Sequence, residues 1–235
     1  MNACAQLFWL EQKHGDVPAD DEWLTPPERE QLERLHVPKR RLDWRLGRFT
    51  AKCAIAAYLH WPTDRIDQIE IRRTPNGAPE ATILDQPPAP SISISHCSGV
   101  GMCLLGPAGT AIGCDLELVE PRTRQFIKTF FSKHEEAELS WLAYKESSIA
   151  TNIIWSAKES YLKATGEGLT RDTREVEVIV GSALERVSVA IRETQSEWQP
   201  FGILSREGAA AGFWQLNGNM VRTVFGSQLQ PLCLM

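Results

Sequence analysis

At 235 residues, 43% of them apolar and eight of them tryptophan, the chain can bury a substantial core as one large domain or two small ones. A formal net charge of −5 argues against a general nucleic-acid binder, which is usually basic. Six scattered cysteines without a C-x-x-C pair argue against a zinc site and for reduced thiols in a cytoplasmic protein, and no run of about eighteen apolar residues is present to span a membrane.

In chain order, residues 5–10 form a short apolar run that reads as a first strand, not as a signal peptide, because no positive charge precedes it. Thr25-Pro26-Pro27-Glu28 is a helix start, and that helix is predicted to end near 35. A second helix is predicted over 38–59, with Leu42, Leu46, Phe49, Cys53, Ala56 and Ala57 at helical spacing and Lys39, Arg40, Arg41, Arg45, Arg48 and Lys52 opposite. Strands are predicted over 66–71, 91–95, 100–105 and 111–119, with a tight turn at Pro75-Asn76-Gly77-Ala78-Pro79. Helices follow over 123–131, 134–145 and 147–165, the last stopped by Gly166 and Gly168. Further strands are expected over 175–180, 186–192, 201–205 and 212–225. This order predicts an α+β protein of two halves, 1–107 and 108–235, with no evident sequence repeat.

Two acidic motifs carry the chemistry. In Gly113-Cys114-Asp115-Leu116-Glu117, Asp115 and Glu117 share one face of a strand. Two carboxylates side by side suit a hard cation such as Mg²⁺, although a polar-outward strand explains that motif by itself. In Trp155-Ser156-Ala157-Lys158-Glu159-Ser160-Tyr161-Leu162-Lys163, Trp155, Glu159 and Lys163 share a helix face. An amphipathic helix is the plain alternative, but a carboxylate leaning on an apolar segment needs a metal or a lysine partner. The basic face of 38–59 is a positive field for anions. Ser95-His96, before Cys97-Ser98-Gly99, can contact phosphate at a strand end. There is no G-x-S-x-G, Walker A or G-x-G-x-x-G motif.

Read together and in order, these pieces resemble a 4′-phosphopantetheinyl transferase of the Sfp type, the two-lobed, monomeric branch. The matching residues are 41–52 with Gly47-Arg48, Asn76 to Pro79, Ile92 to His96, Ile112 to Glu117, Phe130-Phe131-Ser132, and Trp155 to Lys163 followed by Gly166-Glu167-Gly168-Leu169. The resemblance covers about residues 38 to 170. It implies two similar lobes related by pseudo-twofold symmetry, with the active site between them. It also implies a holo-[acyl-carrier-protein] synthase reaction, in which the phosphopantetheine arm of coenzyme A passes to a serine of an apo carrier protein and adenosine 3′,5′-bisphosphate is released. By the same resemblance, Asp115, Glu117 and Glu159 would hold Mg²⁺ or Mn²⁺. Glu159 would also be the candidate base, Lys163 would stabilise the pyrophosphate, and Lys158 would support it. Arg41, Arg48, Lys52, Ser95 and His96 would contact the nucleotide's phosphates. Ala78 departs from many relatives, which carry a cation in that turn. Arg122, Arg124, Phe126 and Lys128 are candidate carrier contacts, with Phe126 equally suited to the core. The carrier's pathway stays open.

Two other readings use the same residues: a metal-dependent phosphodiesterase acting on coenzyme A or a loaded carrier, and a non-catalytic coenzyme A-binding module.

Overall fold

The structure is a computed structural model that describes residues 6–84, 88–180, 198–226 and the backbone of 231–233. It is α+β and divides into two compact units between Ile112 and Gly113, with the strand Pro231–Cys233 returning to the first. The predicted strand over 186–192 lies outside the described residues.

The first unit contains β1 (Leu7–Lys13), α1 (Pro26–Glu33), α2 (Pro38–Tyr58), β2 (Ile69–Arg73), β3 (Pro79–Ile83), β4 (Ser91–Cys97) and β5 (Val100–Gly106). Thr25 and Glu28 form a reciprocal capping box that starts α1, with proline in the first turn where its missing N–H costs nothing. β2 and β3 form a hairpin through the Asn76-Gly77 turn, where Gly77 has φ +88°. β1, β4 and β5 build one sheet, β5 central and antiparallel to both neighbours, with Ser95 opposite Met102 and His96 opposite Gly101. α2 packs on this sheet, and its buried stripe (Phe49, Cys53, Ala54, Ile55, Ala56) joins Trp23, Leu24, Ile69, Ile71 and Leu105 in one core.

The second unit contains β6 (Ile112–Leu118), α3 (Arg124–Phe130), α4 (Lys133–Leu139), α5 (Tyr144–Ala164), β7 (Glu177–Ile179), β8 (Gln199–Ser205), β9 (Gly208–Asn217) and β10 (Met220–Gly226); β11 is the returning strand Pro231–Cys233, which pairs parallel to β1. Its sheet runs β6-β10-β9-β8-β7. The core under α5 holds Ile153, Ile154, Trp155, Leu162, Trp214 and Val221. The run expected as one strand over 212–225 is a hairpin: β9 pairs antiparallel with β10, and the chain reverses at Gly218, φ +62°. Asn217-Gly218 is a strong turn signal that the apolar character of the flanks obscured.

The prediction of an outward basic face on α2 fails in its second half. Arg48 and Lys52 are buried because Glu28 sits inside the core and needs cations. Among the described residues, no helix is long and apolar enough to cross a membrane, and Cys53 and Cys97 are free thiols.

Candidate active site

The site in the second unit is set by a close approach of β6 and α5. A Cβ built on Gly113 would lie 1.8 Å from the Ser160 carbonyl oxygen and 2.9 Å from the Ala164 nitrogen. Only glycine admits this contact. Asp115 and Glu117 follow on the same strand face as Gly113, so the strand presents both carboxylates toward the last turns of the helix.

Those turns supply Glu159 and Lys163. The Lys163 Nζ lies 2.6 Å from Asp115 Oδ1 and 3.6 Å from Glu159 Oε2, and donates to the Cys114 carbonyl at 3.0 Å. Glu117 pairs with Arg122, and the Trp155 side chain beside it favours the ionised carboxylate. Arg122 Nε donates to Asn152 Oδ1 at 2.9 Å, and Asn152 Nδ2 donates to the Glu120 and Ser148 carbonyls at 2.7 Å each. Trp155 is held edge-on against Phe126.

Glu117 and Glu159 sit in a half-buried cluster that disfavours their ionisation. Burial first, then the charges of Asp115 and Glu117, push the Glu159 carboxyl up to about 7. Burial and Asp115 raise Glu117 as well, against the pull of Arg122. For Lys163, burial disfavours the ammonium, but Asp115 and Glu159 outweigh it and its pKa is raised.

The donor chemistry fits a hard divalent cation: carboxylate oxygens, an excess of negative charge, and partial exposure that leaves room for water and phosphate oxygens. Among the described residues no three ligating side chains stand preassembled around a common point, because Lys163 and Arg122 now neutralise Asp115 and Glu117. A cation would share the carboxylates with these two groups. Asp115, Glu117 and Glu159 are the residues that would hold it.

The other predicted residues divide. Lys158 does not join the cluster: its ammonium is fully buried, 2.7 Å from Glu135 Oε2, and donates to the Thr173 and Val176 carbonyls. It lies about 100° around α5 from Glu159, on the side that meets α4. Lys52 is likewise fully buried, 2.5 Å from Glu28 Oε2 and donating to the Trp23 carbonyl, so its expected phosphate contact is not available in this arrangement. Arg41 is half-buried and donates to the Leu32 carbonyl. Arg48 stacks over the Trp44 ring at 4.9 Å; its Nε and Nη2 are buried without hydrogen-bond partners, and burial lowers its pKa to about 10, still cationic near neutrality. Ser95 is buried and His96 exposed; the His96 ring passes 4.0 Å from where a Gly47 Cβ would stand, which places it beside the Gly47-Arg48 turn of α2. Phe126 is partly buried against the core and Arg122 is paired with Glu117, while Arg124 and Lys128 are exposed.

Sequence reasoning missed Arg122 as the partner of Glu117, and Glu135 as the partner of Lys158. Glu135 had a readable signal, the Ser132-x-x-Glu135 capping box.

Known proteins give an independent measure. The family model described as the 4′-phosphopantetheinyl transferase superfamily matches residues 111–211, the stretch that holds Asp115, Glu117, Glu159 and Lys163. The chain is 27% identical over 148 residues to the 4′-phosphopantetheinyl transferase Sfp of Bacillus subtilis, covering 63% of this chain and 62% of that one. It is 27% identical over 203 residues to the 4′-phosphopantetheinyl transferase HetI of Nostoc sp., covering 82% and 81%. A Synechocystis sp. relative is 25% identical over 162 residues, covering 68% and 64%. The matches to the Bacillus and Synechocystis proteins thus span less than two thirds of those relatives' lengths.

Proposed function

We propose that this chain, whose residues 111–211 match the model of the 4′-phosphopantetheinyl transferase superfamily, transfers the 4′-phosphopantetheine group of coenzyme A to a serine of an apo carrier protein. The observation that carries this reading is the meeting of Asp115 on β6 with Lys163 on α5 at 2.6 Å, with Glu159 one helical turn away.

In the reaction, the carrier serine Oγ attacks the phosphorus that bears the pantetheine arm. The bond from that phosphorus to the bridging oxygen breaks, and adenosine 3′,5′-bisphosphate leaves. Glu159 takes the serine proton. Lys163 faces the pyrophosphate and offsets charge gathering on the leaving oxygen. Asp115, Glu117 and Glu159 would hold Mg²⁺ or Mn²⁺, which when bound would supply Lewis-acid neutralisation of the pyrophosphate. Arg122 holds the Glu117 carboxylate in place.

The nucleotide end is assigned to Arg41, Arg48, Ser95 and His96. Support comes from Arg48, a buried cation with two donor nitrogens unused. Arg48→Met is expected to raise KM for coenzyme A about tenfold with kcat little changed, the cost of one charge-assisted hydrogen bond. Steady-state kinetics at saturating carrier measures it, and an unchanged KM would remove Arg48 from the set.

We propose further that the two units are similar lobes. The support is their matching helices: α2 and α5 each have 21 residues and each lies on its own sheet.

The competing reading is hydrolysis of coenzyme A by the same carboxylates, and product counting separates the two. One adenosine 3′,5′-bisphosphate released per carrier serine modified supports transfer. Bisphosphate released without carrier modification sinks it.

A further inference from the structure

Two lysines of this chain are buried completely, and each answers to a glutamate that also caps a helix. In the second unit, Lys158 Nζ lies 2.7 Å from Glu135 Oε2. Glu135 accepts from the Ser132 backbone at 2.8 Å and the Val178 backbone at 2.9 Å, and the Phe131 ring lies 5.5 Å from the ammonium. In the first unit, Lys52 Nζ lies 2.5 Å from Glu28 Oε2. Glu28 accepts from the Thr25 and Ile71 backbones at 3.0 Å each, and the Trp23 ring lies 5.7 Å from the ammonium. Lys52 and Lys158 are each the fifteenth residue of a 21-residue helix.

The next position differs. The sixteenth residue is Cys53 in α2 and Glu159 in α5; the twentieth is Ala57 in α2 and Lys163 in α5. The fourth residue of β1 is Leu10, and that of β6 is Asp115. Both units keep the buried clamp, and only the second carries the carboxylates and Lys163. A lysine retained where no chemistry accompanies it does framework work.

We propose that Lys158 and Glu135 are positioning residues, which fix the rotation of α5 about its axis so that Glu159 and Lys163 face Asp115. This rests on the metal-site reading above. Three anchors hold Lys158: Glu135 at the head of α4, and the Thr173 and Val176 carbonyls leading into β7. They grip α5 about 100° from Glu159, where a grip controls rotation. A roll of about 20° would carry a carboxylate about 6 Å from the helix axis through about 2 Å. Metal coordination tolerates about 0.2 Å.

The test compares the same lesion in the two units, with Mn²⁺ alone as the probe. Lys158→Met and Lys52→Met are purified, matched for folded fraction by circular dichroism, and titrated with Mn²⁺ by electron paramagnetic resonance. Lys158→Met is expected to weaken Mn²⁺ binding at least tenfold, and Lys52→Met to leave it within about twofold while losing comparable thermal stability. Glu135→Gln, which keeps the side-chain shape, serves where Lys158→Met does not fold, with the same weakening expected. Wild-type affinity in a folded Lys158→Met or Glu135→Gln variant, or equal weakening in Lys52→Met, overturns the positioning role alone. A wild-type protein that binds no Mn²⁺ overturns the metal-site reading and this inference with it.

Discussion

Gly113→Ala is expected to destroy activity and to destabilise the protein by about 3 kcal/mol or more, because its methyl group would stand 1.8 Å from the Ser160 carbonyl oxygen. The obstacle is backbone on both sides, so no side-chain rotation relieves it. β6 and α5 must separate, and Asp115 leaves the reach of Lys163 with them. Gly47→Ala is the contrasting case. Its methyl would meet the Ile94 Cγ2 at 3.3 Å, an atom that can shift by a few tenths of an ångström. The gain in helix propensity of about 1 kcal/mol offsets that shift, and stability should stay within about 1 kcal/mol of wild type. Urea unfolding of both variants, read beside carrier modification, checks the pair. A Gly113→Ala protein as stable and active as wild type would contradict the close packing of β6 on α5.

Glu159→Gln is expected to lower transfer by about 10³-fold, in the range for loss of a general base, with the fold intact. Glutamine keeps the shape and removes one of three mutually repelling charges. Burial and Asp115 already disfavour the ionised form of Glu159, so stability should change by less than about 1 kcal/mol. Thermal unfolding and single-turnover kinetics measure the two effects separately. Near-normal transfer by a folded Glu159→Gln protein would remove Glu159 from its assigned role.

The cluster Asp115, Glu117, Glu159 and Lys163 was legible because its spacings, two on a strand and four on a helix, are local rules of geometry. That strand and helix would meet followed from no local rule. Gly113 makes the meeting possible, and the motif Gly-x-Asp-x-Glu hinted at it only by containing a glycine where a strand would ordinarily have a side chain. Lys52 and Lys158 are buried against the expectation from their spacing, for a definite reason. A lysine at helical spacing reads as solvent-facing or ligand-facing, since lysine is almost never fully buried unless paired. Their partners, Glu28 and Glu135, lie more than twenty residues away and look like ordinary helix-capping acids. Helices were placed well because caps and periodicity announce them: 38–59 was expected where Pro38–Tyr58 is found. The strand over 66–71 came out as a short 3-10 turn at Thr63–Gln68 followed by Ile69–Arg73, since alternation begins before pairing does. Residues 134–145 were expected as one helix, but α4 ends at Leu139 and α5 begins at Tyr144, with Trp141 exposed between them.

The intact mass of an apo carrier protein after incubation with this protein, coenzyme A and Mg²⁺ is the most direct test of the proposed transfer. The expected result is a gain of one phosphopantetheine group per carrier, abolished by chelation of the metal and lowered about 10³-fold by Glu159→Gln. An unmodified carrier across a panel of apo acyl, peptidyl and aryl carriers, or full modification after thorough chelation, would contradict it.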